Sequence, residues 1–127
     1  MAKTAEEIMT YPVITTTASA TVRDVAKLLS RNSISGVPVV GEGKVAGLKT
    51  NVVGIITESD ILGEPPDAPV ESLMTREVVT VKPDTTMNEI VKCLAERNIK
   101  RVPVVNEAGH LVGIVSRADV VMAMAEE

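Results

Sequence analysis

A seven-residue run, GIITESD at 54–60, returns as GIVSRAD at 113–119, and it does not return alone. GVPVV at 36–40 is echoed 65 positions later by RVPVV at 101–105, and IMT at 8–10 is echoed by LMT at 73–75. The motifs come in the same order in both halves, so the chain is a tandem duplication. Each half has roughly 60 residues, which is marginal for independent folding. The halves are therefore expected to depend on each other. A duplicated small α/β unit is expected to pack on itself about a pseudo-two-fold axis, leaving two equivalent clefts between the halves.

Local patterns repeat as well. The β-branched stretch 13–17 reads as a strand. Thr21 then caps a helix, with Asp24 at the capping-box position. Val22, Val25, Ala26, Leu28 and Leu29 form its apolar stripe. Residues 36–40 and 52–56 read as antiparallel strands, with turn chemistry at Gly41, Gly43 and Gly47. A short helix from Ser59 is stopped by Gly63. In the second half, residues 77–81 read as a strand and Thr86 caps a helix through Asn98, with Glu89 completing the box. Met87, Ile90, Val91 and Leu94 supply its stripe. Residues 102–105 and 111–115 are strands, and 117–125 is the closing helix.

The expected organisation is a first repeat at 5–63, a linker at 64–69 (EPPDAP, whose adjacent prolines resist helix and sheet) and a second repeat at 70–124. Each repeat reads β-α-β-β-α, which makes the fold class α+β. Between its last two strands the first repeat carries 6 more residues than the second, a difference that belongs at a loop tip.

Composition narrows the function. Net charge is −4, against the broad basic surface that nucleic acid or an anionic membrane demands. Phe and Trp are absent and Tyr11 is the only aromatic, so a bound base would sit among aliphatic side chains and backbone. One cysteine, Cys93, allows no internal disulfide, as expected in a reducing cytoplasm. The opening MAKTAEEIM lacks the apolar core of a signal peptide, and no apolar run nears the roughly 20 residues of a membrane span. A cytoplasmic protein is expected. Neither a metal constellation nor a nucleophile–base pair stands out, so an enzyme is not expected.

The chemistry concentrates in the paired [Thr/Ser]-x-x-Asp segments. Thr57 and Ser116 each stand where a strand gives way to a helix, and such a terminus suits an anion. Asp60 and Asp119 follow one turn later. A carboxylate can accept two hydrogen bonds at once, which matches the vicinal hydroxyls of a ribose. The same spacing is also a plain capping box, and one side chain can serve in either capacity.

These motifs together, IMT…TVRDVAKLL…ISGVPVV…VVGIITESDIL and LMT…TMNEIVKCL…IKRVPVV…LVGIVSRADVV, resemble a pair of cystathionine β-synthase (CBS) domains, a Bateman module. The resemblance implies two repeats packed through their sheets, with clefts that bind adenosine-containing ligands. It implies that one cleft draws on Thr57 and Asp60 with Val79, Thr80, Ile99, Lys100, Arg101 and Pro103. The other would draw on Ser116 and Asp119 with Val13, Ile14, Ile34, Ser35, Gly36 and Pro38. Lys100 and Arg101 stand where the first repeat has Ser35 and Gly36, so the Asp60 cleft is expected to tolerate more phosphate charge.

The expected function is regulatory: an energy-sensing module binding AMP, ADP or ATP, with S-adenosylmethionine or NAD as alternatives. The resemblance also implies a disc-like homodimer, for which Leu28, Leu29, Val120, Val121 and Met124 are candidates, and a separate effector enzyme or transporter. A ligand-free oligomerisation module is the competing expectation.

Overall fold

The computed structural model describes residues 3–41 and 51–126. The expected turn residues Gly43 and Gly47 lie outside them. Elements run α1 (Ala5–Ile8), β1 (Thr16–Thr17), α2 (Val22–Asn32), β2 (Gly36–Val40), β3 (Val52–Thr57) and α3 (Glu58–Ile61). The second series is α4 (Val70–Leu73), α5 (Met87–Arg97), β4 (Arg101–Val105), β5 (Leu111–Ser116) and α6 (Arg117–Ala125). The fold is mixed α+β with small sheets, as expected.

The chain forms two compact units, and their borders are offset from the sequence repeats. A central unit spans Ile14–Val78, while a terminal unit joins the residues up to Val13 with those from Val79 onward. Each repeat thus contributes its opening helix to the unit built from the other repeat. The same backbone wiring does this in both places. Ala5 N–H donates to Thr85 O at 2.8 Å and Glu6 N–H to Pro83 O at 2.9 Å; Val70 N–H donates to Ala20 O at 2.8 Å and Glu71 N–H to Ala18 O at 3.1 Å. The amides at the start of a helix lack partners within it, and here distant carbonyls supply them. The linker acts similarly: Ala68 O and Pro66 O accept from Val22 N–H and Arg23 N–H, both at 2.9 Å.

Both long helices carry the expected N-cap, but only α2 closes the capping box; at α5 Glu89 Oε1 accepts from the Thr86 hydroxyl at 3.0 Å, so the box expected with Glu89 does not form. Thr21 Oγ1 accepts from Asp24 N–H at 3.3 Å, and Thr21 N–H donates to Asp24 Oδ2 at 3.0 Å, closing the box. Thr86 Oγ1 accepts from Glu89 N–H at 3.3 Å. Both helices end on a left-handed residue, Ser33 (φ 52°) and Asn98 (φ 51°). Val22, Val25 and Leu29 are buried on α2, and Met87, Ile90 and Leu94 on α5. Ala26 and Val91, expected in the stripes, are exposed, because they fall at the margin of each narrow face.

The hairpins are superimposable in register. Gly36 pairs with Thr57 and Val37 with Ile56; Arg101 pairs with Ser116 and Val102 with Val115. The register slips at Val39/Val40 and at Val104/Val105. The leading strands shrink. Of the expected strand 13–17 only Thr16 and Thr17 pair, parallel to Val39 and Val40, and of 77–81 only Val81 bridges, to Val104. Val25, Leu29, Val37, Val39, Ile56, Val70 and Met74 form the central core. The terminal core holds Val81, Ile90, Leu94, Val102, Val104, Val115 and Val120, with Cys93 packed at its edge.

In each unit a methionine lies against a strand glycine. A Cβ at Gly54 would come within 2.6 Å of Met74 Sδ and 3.0 Å of Thr75 O, and one at Gly113 within 2.7 Å of Met9 Cγ. These positions need glycine because the IMT and LMT segments cross there. Thr10 and Ile114 exchange backbone bonds at 2.8 and 3.1 Å, and Thr75 and Ile55 exchange theirs at 2.9 Å.

Candidate functional site

In the central unit, the β2–β3 register sets Thr57 directly across from Gly36. Glu58 N–H donates to Ser35 O at 2.9 Å, which ties the start of α3 to the segment before β2. Asp60 Oδ2 accepts from Thr57 N–H at 2.8 Å and from Thr57 Oγ1 at 3.0 Å. Asp60 Oδ1 takes no partner among the described residues, and the residue is half-buried. Because α3 has only 4 residues, few peptide dipoles add at its start. What this half-site offers a ligand is hydroxyls and one uncommitted carboxylate oxygen.

The terminal unit repeats the design. Ser116 faces Arg101, and Arg117 N–H donates to Lys100 O at 3.0 Å. Asp119 Oδ2 accepts from Ser116 N–H at 2.9 Å and Ser116 Oγ at 3.1 Å, and Asp119 N–H donates back to Ser116 Oγ at 3.2 Å. Here the second carboxylate oxygen is occupied: Thr10 Oγ1 donates to Asp119 Oδ1 at 3.0 Å. Arg117 is committed too, its Nε donating to Ile99 O at 3.2 Å.

The other expected residues divide by accessibility. Pro38 and Pro103 are fully buried and Gly36 is buried, so they shape backbone and present no side-chain surface. Val13, Ile14, Ile34, Ser35, Val79, Ile99 and Arg101 are half-buried; Thr80 and Lys100 are exposed. Thr57, Asp60, Ile14, Ile34, Ser35, Gly36 and Pro38 belong to the central unit. Ser116, Asp119, Val13, Val79, Thr80, Ile99, Lys100, Arg101 and Pro103 belong to the terminal unit. Within a unit the register brings Ser116 beside Arg101 and Thr57 beside Gly36.

The bridges also fix an equivalence that the motifs alone leave ambiguous. Thr16 meets Val39 and Val81 meets Val104. Ile14 therefore corresponds to Val79, and Thr15 to Thr80. By that register Thr15 and Val78 complete the two sets, and the offset of 65 positions already present in GVPVV and RVPVV was the signal for them. Among the described residues no cluster of His, Cys, Asp and Glu could hold a metal ion.

The model for the CBS domain matches residues 5–67 and again 70–126. The chain belongs to the CBS domain family. It is 33% identical over 123 residues to the uncharacterized protein MJ0188 of Methanocaldococcus jannaschii, covering 95% of this chain but 44% of that protein. The chain thus spans less than half of that relative's length. Among solved structures it is similar to the CBS domain pair of protein MJ0100 in complex with 5-methylthioadenosine and S-adenosyl-L-methionine, at TM-score 0.87 and 29% identity, covering 99% of this chain and 98% of that one. It is also similar to CBSX2 in complex with AMP, at TM-score 0.84 and 25% identity, covering 98% and 97%. The chain carries two CBS domains, and these neighbours are solved in complex with adenosine compounds. No helix among the described residues is long and apolar enough to cross a membrane.

Proposed function

We propose that the chain is a regulatory module that binds an adenosine-containing ligand, AMP, ADP or ATP first, with S-adenosylmethionine or NAD as alternatives, and passes occupancy to a partner protein. The observation that carries this reading is the Asp60 carboxylate. Its Oδ2 is fixed by Thr57 while its Oδ1 is left without a protein partner among the described residues. A carboxylate held in one orientation with one oxygen spare accepts a ribose hydroxyl without first breaking a protein bond. In this proposal Thr57 and Asp60 act with Val79, Thr80, Ile99, Lys100, Arg101 and Pro103, the last as buried support. Ser116 and Asp119 act with Val13, Ile14, Ile34, Ser35, Gly36 and Pro38.

A second reading is a ligand-free interaction module. Val121, Met122 and Met124 on α6 are 63%, 64% and 57% exposed, which favours a homodimer through this helix. Leu29 and Val120, both expected in that surface, are instead 6% exposed and packed in their own cores. A dimer and a ligand site are compatible; the partner would be a separate enzyme or transporter.

The test is a thermal-shift panel of AMP, ADP, ATP, S-adenosylmethionine and NAD. A ligand at about 100 times its Kd adds roughly 2.7 kcal/mol, or several degrees for a chain of this size. A shift with one adenine compound supports the sensor. No shift with any of the five supports the interaction module.

A further inference from the structure

The two half-sites differ in one bond that the duplication does not require. Thr10 and Thr75 are equivalent, each closing a two-bond backbone bridge onto the middle of its hairpin, at Ile114 and at Ile55. Only Thr10 also reaches the ligand-facing carboxylate, donating to Asp119 Oδ1 at 3.0 Å. Thr75 makes no such bond to Asp60 among the described residues. With Ser116 on Oδ2 and Thr10 on Oδ1, both Asp119 oxygens already hold a protein donor.

We propose that Thr10 is an internal competitor for the Asp119 half-site, an affinity-setting residue whose hydroxyl competes with a ribose hydroxyl for Oδ1. This rests on the adenosine-binding reading above. The consequence is an intrinsic ranking, with the Asp60 half-site filling first. Filling at Asp119 also becomes coupled to the opening segment of the chain, because Thr10 is anchored on either side. Its backbone is bridged to Ile114, and the preceding Met9 fills the space over Gly113. A side chain so held cannot follow a new partner far, so the Thr10 hydroxyl stays in competition for Oδ1 when a ligand arrives.

The experiment is an AMP titration by calorimetry on the full chain, comparing wild type with Thr10→Val, Thr10→Ser and Thr75→Val. Valine keeps the branched shape and removes the donor; serine keeps the donor. In Thr10→Val the Asp119-dependent site should tighten, on the order of ten- to a hundredfold for the loss of one competing hydrogen bond to a charged group. Thr10→Ser should stay at the wild-type value, and Thr75→Val should leave the Asp60-dependent site unchanged. Each site is assigned by its loss in Asp60→Ala or Asp119→Ala. Weaker or unchanged binding at the Asp119 site in Thr10→Val overturns the competitor, and weaker binding would make Thr10 an orienting residue instead. An equal gain in Thr75→Val also overturns it, since that donor touches no carboxylate. In these outcomes AMP still binds and the adenosine reading stands; if AMP and the other four compounds bind no variant at all, both fall together.

Discussion

The central and terminal units share their backbone wiring and part company in their side chains. Hairpin register, the slip after Val39 and Val104, the left-handed helix ends at Ser33 and Asn98 and the methionine over each strand glycine are the same in both. What differs lies where the units present chemistry. Ser35 and Gly36 stand against Lys100 and Arg101, the four-residue α3 against the nine-residue α6, and Asp60 with one oxygen bonded against Asp119 with a protein donor on each oxygen. Backbone bonds fixed the shape shared after duplication. At the surface the two units differ in charge and in the partners of their aspartates.

The largest expected effects test whether the cores are equivalent. Ile56→Ala in the central unit and Ile90→Ala in the terminal unit each truncate a fully buried side chain. Each should cost about 2–5 kcal/mol in urea unfolding. A large gap between the two would break the equivalence.

Next come the crossings under the methionines. Gly54→Ala and Gly113→Ala place a methyl where Met74 with Thr75 O, or Met9, already sits. Each should destabilise by about 1–3 kcal/mol, read as a lower urea midpoint. The two should be similar, because each meets an atom the backbone holds in place at 3.0 Å, Thr75 O at Gly54 and Met9 Cβ at Gly113.

Capping effects are smaller. Thr21→Ala and Thr86→Ala should each cost about 1 kcal/mol by thermal unfolding, and a closed box at Thr21 should make its loss the greater.

The smallest effect is the response to acid. Thr21's backbone N–H, and after it the hydroxyl, hold the Asp24 carboxyl below its ordinary 3.8. In the terminal unit a hydrogen bond and charge from Lys3 hold Glu126 below 4.5. A folded pKa below the unfolded one gives stability that is present above the unfolded value and lost as pH falls through the folded one. Stability should therefore decline below about pH 4, and Asp24→Asn should flatten that decline in acid-titrated thermal melts. The Lys3–Glu126 pair, 2.7 Å apart and exposed, should weaken further with added salt.

Much of this fold was legible where a local rule sufficed. Thr21 with Asp24 marks a helix start in any context, and VPVV beside a Gly-h-h pattern fixes both hairpins. The stretches 13–17 and 77–81 misled, because β-branched composition reports a fit to a half-buried surface rather than a pairing partner. Only Thr16, Thr17 and Val81 found one. The exchange of opening helices was not legible either. Ala5 and Val70 depend on carbonyls 80 and 50 positions away, Thr85 and Ala20, and no local pattern encodes that distance. At the candidate site, [Thr/Ser]-x-x-Asp located both carboxylates, but Thr10 on Asp119 spans 109 positions, and the IMT motif that holds Thr10 does not encode that contact.

The most direct test of the account is AMP binding by calorimetry to wild type, Asp60→Ala and Asp119→Ala, each checked for an intact fold by circular dichroism. The account predicts that Asp60→Ala abolishes the tighter site while Asp119→Ala leaves it in place. Unaltered binding in both folded variants would contradict it and leave the two aspartates as helix caps alone.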